Sequence, residues 1–177
     1  MADSSQSSSM LRSSVNHPAL DAFLGWPVVL DSNLLLLHCC ASFDPSLIGT
    51  FKRLSAFDPS DVFILDETLA ARGELRTTPH VLTEVSNLAN ALPSWKKPAW
   101  GLHISGSISL IPEFHEPASV IMADPGSVTF GLTDAALARL ATDHVILTID
   151  WRLASMLDSR GLTGINFKRL RPGGIFG

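Results

Sequence analysis

Asp31 and Asp150 each follow a short apolar run, Val28-Val29-Leu30 and Val145-Ile146-Leu147-Thr148-Ile149, that reads as a buried strand. Ligands of open parallel sheets bind beyond the carboxyl ends of the strands, so both acids are expected on one edge. Glu84 lies three residues after Val81 and four before Leu88, at the border of a helical apolar stripe where an unpaired charge is costly to bury. Asp134 sits likewise one turn before Leu137 and Ala138. If the four carboxylates converge to ~5 Å, each pair repels by roughly 3 kcal/mol at an effective dielectric of about 20. Such a cluster must take up protons or divalent cations. Hard oxygen ligands without accompanying His or Cys favour Mg2+ or Mn2+ over Zn2+, and ions shared among carboxylates suit phosphoryl chemistry.

Helix capping competes for some of the same acids. Asp31, Asp134 and Asp150 each fall in the first turn of an expected helix, where capping and the helix dipole favour a carboxylate. Glu84 is about five residues into its helix, beyond that reach. Charge balance sets the four apart as a group. The chain carries 13 Lys and Arg against 17 Asp and Glu, a net charge of −4, and without these four the two signs balance. Nucleic acid would then be held by local positive spots, for which Lys96 and Lys97, Arg152 beside Asp150, and Lys168, Arg169 and Arg171 are the candidates.

The elements that must position these residues follow from the apolar pattern. Strands are expected at Pro27–Leu30, Leu75–Thr78, Ser107–Ile111, His144–Ile149 and Gly164–Phe167. Between them fall helices: a Leu-rich run from Ser32 to about Ala41, one opened by Pro79 with the stripe Val81, Val85, Leu88 and Leu92, one over Glu113–Met122, one over Thr133–Ala141 capped by Thr133, and one over Trp151–Ser159 stopped by Gly161. Phe-Asp-Pro-Ser occurs at 43–46 and again at 57–60, each time an Asp cap with Pro at the first helical position. Asp124-Pro125-Gly126 reads as a turn, and Gly101 and Gly106 weaken any helix between Pro93 and Gly106. Strands alternating with helices at this spacing imply a parallel sheet covered on both faces.

In order along the chain, Val28-Val29-Leu30-Asp31-Ser32-Asn33, Thr83-Glu84-Val85, Gly131-Leu132-Thr133-Asp134-Ala135-Ala136 and Leu147-Thr148-Ile149-Asp150 resemble the four acidic motifs of PIN-domain nucleases, including the VapC-like ribonucleases. The resemblance spans about residues 27–168. It implies an α/β fold, a three-layer α/β/α sandwich with a central five-stranded parallel sheet. It also implies Mg2+- or Mn2+-dependent hydrolysis of RNA, less often DNA, with Asp31, Glu84, Asp134 and Asp150 as both catalytic residues and metal ligands and Asp31 the most intimate of them. Asn33 and Thr148 would orient those acids, Ser32 helping through its hydroxyl. Many members are toxins of toxin–antitoxin pairs, inhibited by a small partner over the acidic groove, and others act in RNA maturation or decay. The segment Leu92–Gly106 departs from the pattern, which bears on substrate access.

Composition bounds the rest. At 177 residues, with 46% hydrophobic and 17% charged, the chain is expected to form one domain over residues 17–177, preceded by a Ser-rich tail at 1–16. No apolar run approaches the ~18 residues of a membrane span, and Met1–Ser14 is not a basic start followed by an apolar block, so a cytoplasmic protein is expected. The adjacent Cys39 and Cys40 are read with His38 as buried helix residues, not as zinc ligands, since no second ligand cluster lies at metal spacing. Trp95 and Trp100 are candidates for a partner or dimer contact, or for the core. Two rival functions stand beside the nuclease: a non-catalytic module of the same fold that binds RNA or protein, and a phosphatase with Asp31 as aspartyl nucleophile, against which Asn33 occupies the place of the usual second acid. No Gly-x-Ser-x-Gly elbow is present, and Gly101–Gly106 does not fit a phosphate loop.

Overall fold

The structure, a computed structural model, describes residues 20, 22–23, 25–124 and 127–172, with only the main chain at 127 and 128. The expected Ser-rich tail and part of the Asp124-Pro125-Gly126 turn therefore lie outside the described residues. Four strands form one parallel sheet: β1 (Val28–Leu30), β2 (Leu75–Arg76), β3 (Val145–Thr148) and β4 (Gly164–Asn166), in the order β2-β1-β3-β4. Register pairs Val28 with Leu75 and Val145, Leu30 with Leu147, and Thr148 with Asn166. From β1 the chain moves outward to β2 and then crosses back to β3. The strand order thus reverses between β1 and β3, the place where an open sheet leaves a crevice at its carboxyl edge.

The central helix is α1 (Ser32–Phe43), whose Leu34, Leu35, Leu36 and Leu37 are all buried. A helix apolar all round must be enclosed, and α1 packs against α2 (Pro59–Arg72), α3 (Pro79–Ala89) and α4 (Lys97–Ile108) as well as β1 and β3. Two short helices, α5 (Ala118–Ile121) and α6 (Ser127–Phe130), lead to α7 (Leu132–Leu140), which meets α3 and β3. Finally α8 (Trp151–Ser159) lies against β3 and β4. Cys39 and Cys40 are buried in the main core, as the sequence reading expects, and burial pushes both thiols up to about 12. Trp100 joins that core while Trp95 is exposed. Among the described residues no helix is long and apolar enough to cross a membrane.

Four expectations need correction. Ser107–Ile111 is not a strand: α4 runs through Ile108, and Pro112, with no N–H to donate, closes the segment. Beyond β2 a single parallel bridge joins Thr77 to Glu113, with Thr77 N–H donating to the Pro112 carbonyl (3.1 Å) and Phe114 N–H to that of Thr77 (2.9 Å). Among the described residues the sheet therefore has four strands, with one bridge where a fifth was expected. Pro117 restricts the helix expected over Glu113–Met122 to α5. Gly131, at φ 89°, precedes α7 in place of a Thr133 cap, which makes Asp134 the third helical residue. The first Phe-Asp-Pro-Ser opens only a 3-10 turn at Pro45–Leu47, whereas the second opens α2 with a full capping box between Asp58 and Asp61.

Candidate active site

Asp31 ends β1 and caps α1. Its own N–H continues the ladder to the Leu147 carbonyl (2.9 Å), which fixes its backbone against β3. Its side chain is 5% exposed and accepts three hydrogen bonds, from Leu34 N–H (2.8 Å), the Thr148 hydroxyl (2.5 Å) and Ile149 N–H (3.0 Å). Burial pushes its carboxyl above the usual range, outweighing the downward pull of Thr148 and of the main-chain donors of Leu34, Ile149 and Asn33. A carboxylate offers about four acceptor positions, so these three bonds leave Asp31 about one for a further partner.

Thr148 is fully buried and acts in two directions. Its hydroxyl donates to Asp31 and accepts the N–H of Asp150 (2.9 Å), so one side chain ties the two strand-end acids together. Asp150 then caps α8, accepting from Arg152 N–H (2.7 Å), while its side chain remains exposed. Glu84 projects from α3 and is exposed, not buried at the edge of the stripe. The hydroxyl of buried Ser32, at the start of α1, donates to Glu84 Oε2 (2.7 Å) and orients it.

All four acids line one open cavity of about 500 Å³, together with Ser32, Asn33 and Thr148. Asp134, half-buried on α7, registers the others electrostatically. Burial first, and then the charges of Asp150, Glu84 and Asp31, push its carboxyl up to about 6, against the opposing pull of Arg152. The cluster raises Asp134 because bringing like charges together out of water favours the neutral form. Among the described residues no three of these side chains already stand as a group able to chelate an ion. The donor set is oxygen, as Mg2+ or Mn2+ prefers.

The cavity wall also contains residues that the sequence reading passed over. His80 and Asn87 come from α3, and Phe130 precedes Gly131. His80, Glu84 and Asn87 follow the i, i+4, i+7 spacing of one helix face, a signal available once Glu84 is suspected. The His80 Nδ1 is buried and has no hydrogen-bond partner among the described residues. Phe130 has no comparable signature.

The expected nucleic-acid contacts separate. Arg152 acts on Asp134 through its charge, and Lys97 is exposed at the start of α4. Lys168 and Arg169 line a different cavity. Lys96 instead forms an ion pair with Asp44 and lies 4.8 Å from the Trp95 ring centroid, and Arg171 pairs with the buried Asp61. Those two cations are engaged within the fold.

Comparison of the chain with protein-family models, with curated proteins and with solved structures finds no match in any of the three.

Proposed function

We propose that this chain is a metal-dependent ribonuclease of the PIN-like kind, hydrolysing RNA phosphodiester bonds at the acid cavity. The observation that carries the reading is the meeting of Asp31, Glu84, Asp134 and Asp150 in one open pocket at the strand-order reversal. Supporting it, Asp134 is held near 6 by burial and its three acidic neighbours, the response of a site short of positive charge. The Thr77–Glu113 bridge beyond β2 is compatible with the five-stranded, three-layer architecture of that family.

The same four residues would hold Mg2+ or Mn2+. A bound divalent ion would supply activation of water and stabilisation of charge on the phosphate oxygens. The chain's own contribution is positioning: Thr148 fixes Asp31 against Asp150, and Ser32 fixes Glu84. Asn33 lines the same wall, and Arg152 sets a positive charge at the flank. An inhibitory partner of the antitoxin type would have to bring basic groups to this pocket.

One observation favours the second reading, a non-catalytic binding module. Asp31 and Asp150 both perform capping, and Asp31 has most of its acceptor positions filled. The same engagement counts against Asp31 as a phosphatase nucleophile, since its oxygens are already bonded. Incubation with labelled single-stranded RNA discriminates. Expected are cleavage in Mn2+, loss in EDTA, and a fall of roughly 100-fold or more in Asp134→Asn, which would weaken the hold on an ion worth several kcal/mol of transition-state charge stabilisation. Absence of cleavage of RNA and DNA in either metal, with no metal-induced gain in melting temperature, would leave the binding module. Phosphate release from small monoesters without action on polymers would select the phosphatase.

A further inference from the structure

A second cavity, of about 660 Å³, lies next to the acid pocket along the chain: Asp150 lines the first and Trp151 the second. One wall is a single face of α8, where Trp151, Ala154, Ser155 and Asp158 follow the i, i+3, i+4, i+7 spacing. Leu153, Met156 and Leu157 carry the buried side of the same helix. The other wall is edge strand β4 and the turn after it, with Asn166, Lys168 and Arg169.

Four features of this groove point to a ligand. Trp151 is 69% exposed, so its indole is not spent on the core. Ala154 and Ser155 are small and leave the space beside it open. Gly164 lets β4 approach α8, since a Cβ there would stand 2.5 Å from Leu157 Cδ1. Lys168 supplies a cation that forms no salt bridge among the described residues. An exposed indole and a cation lining one groove match an unstacked base and its phosphate, whereas a duplex offers no free base face. The lining is mixed, with Ser155, Asn166, Lys168 and Arg169 setting polar groups beside the apolar surface of Trp151 and Ala154, as a base and its sugar-phosphate require together.

We infer that the groove between α8 and β4 is a subsite for single-stranded RNA, one base stacking on Trp151 and a neighbouring phosphate meeting Lys168. Asp158, at the last turn of α8, repels phosphate and confines the strand to the Trp151 end, beside Asp150. This subsite rests on the nucleolytic reading of the acid pocket and names how that pocket's substrate is held.

Binding of a labelled single-stranded RNA oligonucleotide to the full chain in EDTA tests it without cleavage. Trp151→Ala is expected to weaken binding roughly 10-fold, within the range of one lost base stack, and Trp151→Phe to keep most of it. Lys168→Ala should lower the slope of log affinity against log salt by about 0.7. Unchanged affinity and slope in both alanine variants, with folding verified by their melting temperatures, would overturn the subsite. So would loss of self-association in Trp151→Ala with RNA binding intact, which would assign the groove to a second copy of the chain. The parent reading is scored separately, by Mn2+-dependent cleavage of a dinucleotide too short to span both cavities. Cleavage without any Trp151 effect sinks the subsite alone, and Trp151-dependent binding without cleavage sinks the nuclease alone.

Discussion

Asp61 and Asp31 are both buried acids in the opening turn of a helix, and the protein treats them differently. Asp61, 0% exposed, receives both arms of Arg171 at 2.7 Å and the N–H of Asp58 at 2.9 Å. Arg171 also donates to the Ala56 carbonyl, which closes the chain's late segment onto the start of α2. Asp31, 5% exposed, has hydrogen bonds but no salt bridge among the described residues, and three further acids share its cavity. Where the architecture needs a buried carboxylate, an arginine is supplied. Where the four motifs meet, no acid has a salt bridge among the described residues and Arg152 acts only from the flank, and that contrast separates a structural acid from a candidate functional one.

The largest effect should come from the compensated acid. Arg171→Met strands a buried charge on Asp61, and breaking such a pair costs about 3 kcal/mol. At this chain length that should lower the melting temperature by roughly 6–12 °C. A drop under about 2 °C would dissolve the contrast, because the arginine would then be an ornament of the surface. Next comes Thr148→Val, which keeps the shape but removes one donor to Asp31 and the acceptor of Asp150 N–H. A loss of about 1–3 kcal/mol is expected, read as a shifted urea midpoint with unchanged slope.

Asp150→Asn should leave metal-free stability unchanged or slightly raised. Asn caps a helix as well as Asp, and the substitution relieves like-charge repulsion. The gain in melting temperature on adding Mn2+ should shrink. A marked loss of stability in EDTA would make Asp150 structural, like Asp61.

The smallest effect concerns a third acid. The Lys96 ammonium, with help from Ser46, holds Asp44 below its ordinary 3.8, down to about 2. A carboxyl lowered on folding contributes stability that is fully present above about pH 4 and is lost as pH falls toward 2. Lys96→Met should flatten the change in melting temperature across that window, and an unchanged pH profile would remove Lys96 from the account.

Much of the site was legible because its residues sit where local rules are strong. The runs ending at Asp31 and Asp150 are fully buried strands, and the Pro79 helix buries Val81 and Val85 with Glu84 on its rim. Two other elements were misread for physical reasons. Helix α4 buries only Trp100, so no apolar stripe announces it, and the alternation in Ser107–Ile111 imitates a strand. Its Gly101 and Gly106 have open space around a notional Cβ and are tolerated on the surface. The second cavity was invisible as a site because it combines a helix face with a distant edge strand. Lys168 and Arg169 could be named from the sequence as basic residues, but nothing in the sequence set Trp151 opposite them.

The Thr148 hydroxyl has a consequence for biosynthesis. It lies 117 residues beyond Asp31, and no nearer donor replaces it on that oxygen except Ile149 N–H, its own neighbour. A ribosome that has released the chain only as far as α7 has already delivered Asp31, Glu84 and Asp134, yet their shared recess still lacks the strand that anchors it. Long-range pairing of this kind closes late. Truncated or half-made copies are therefore expected to lack a formed recess.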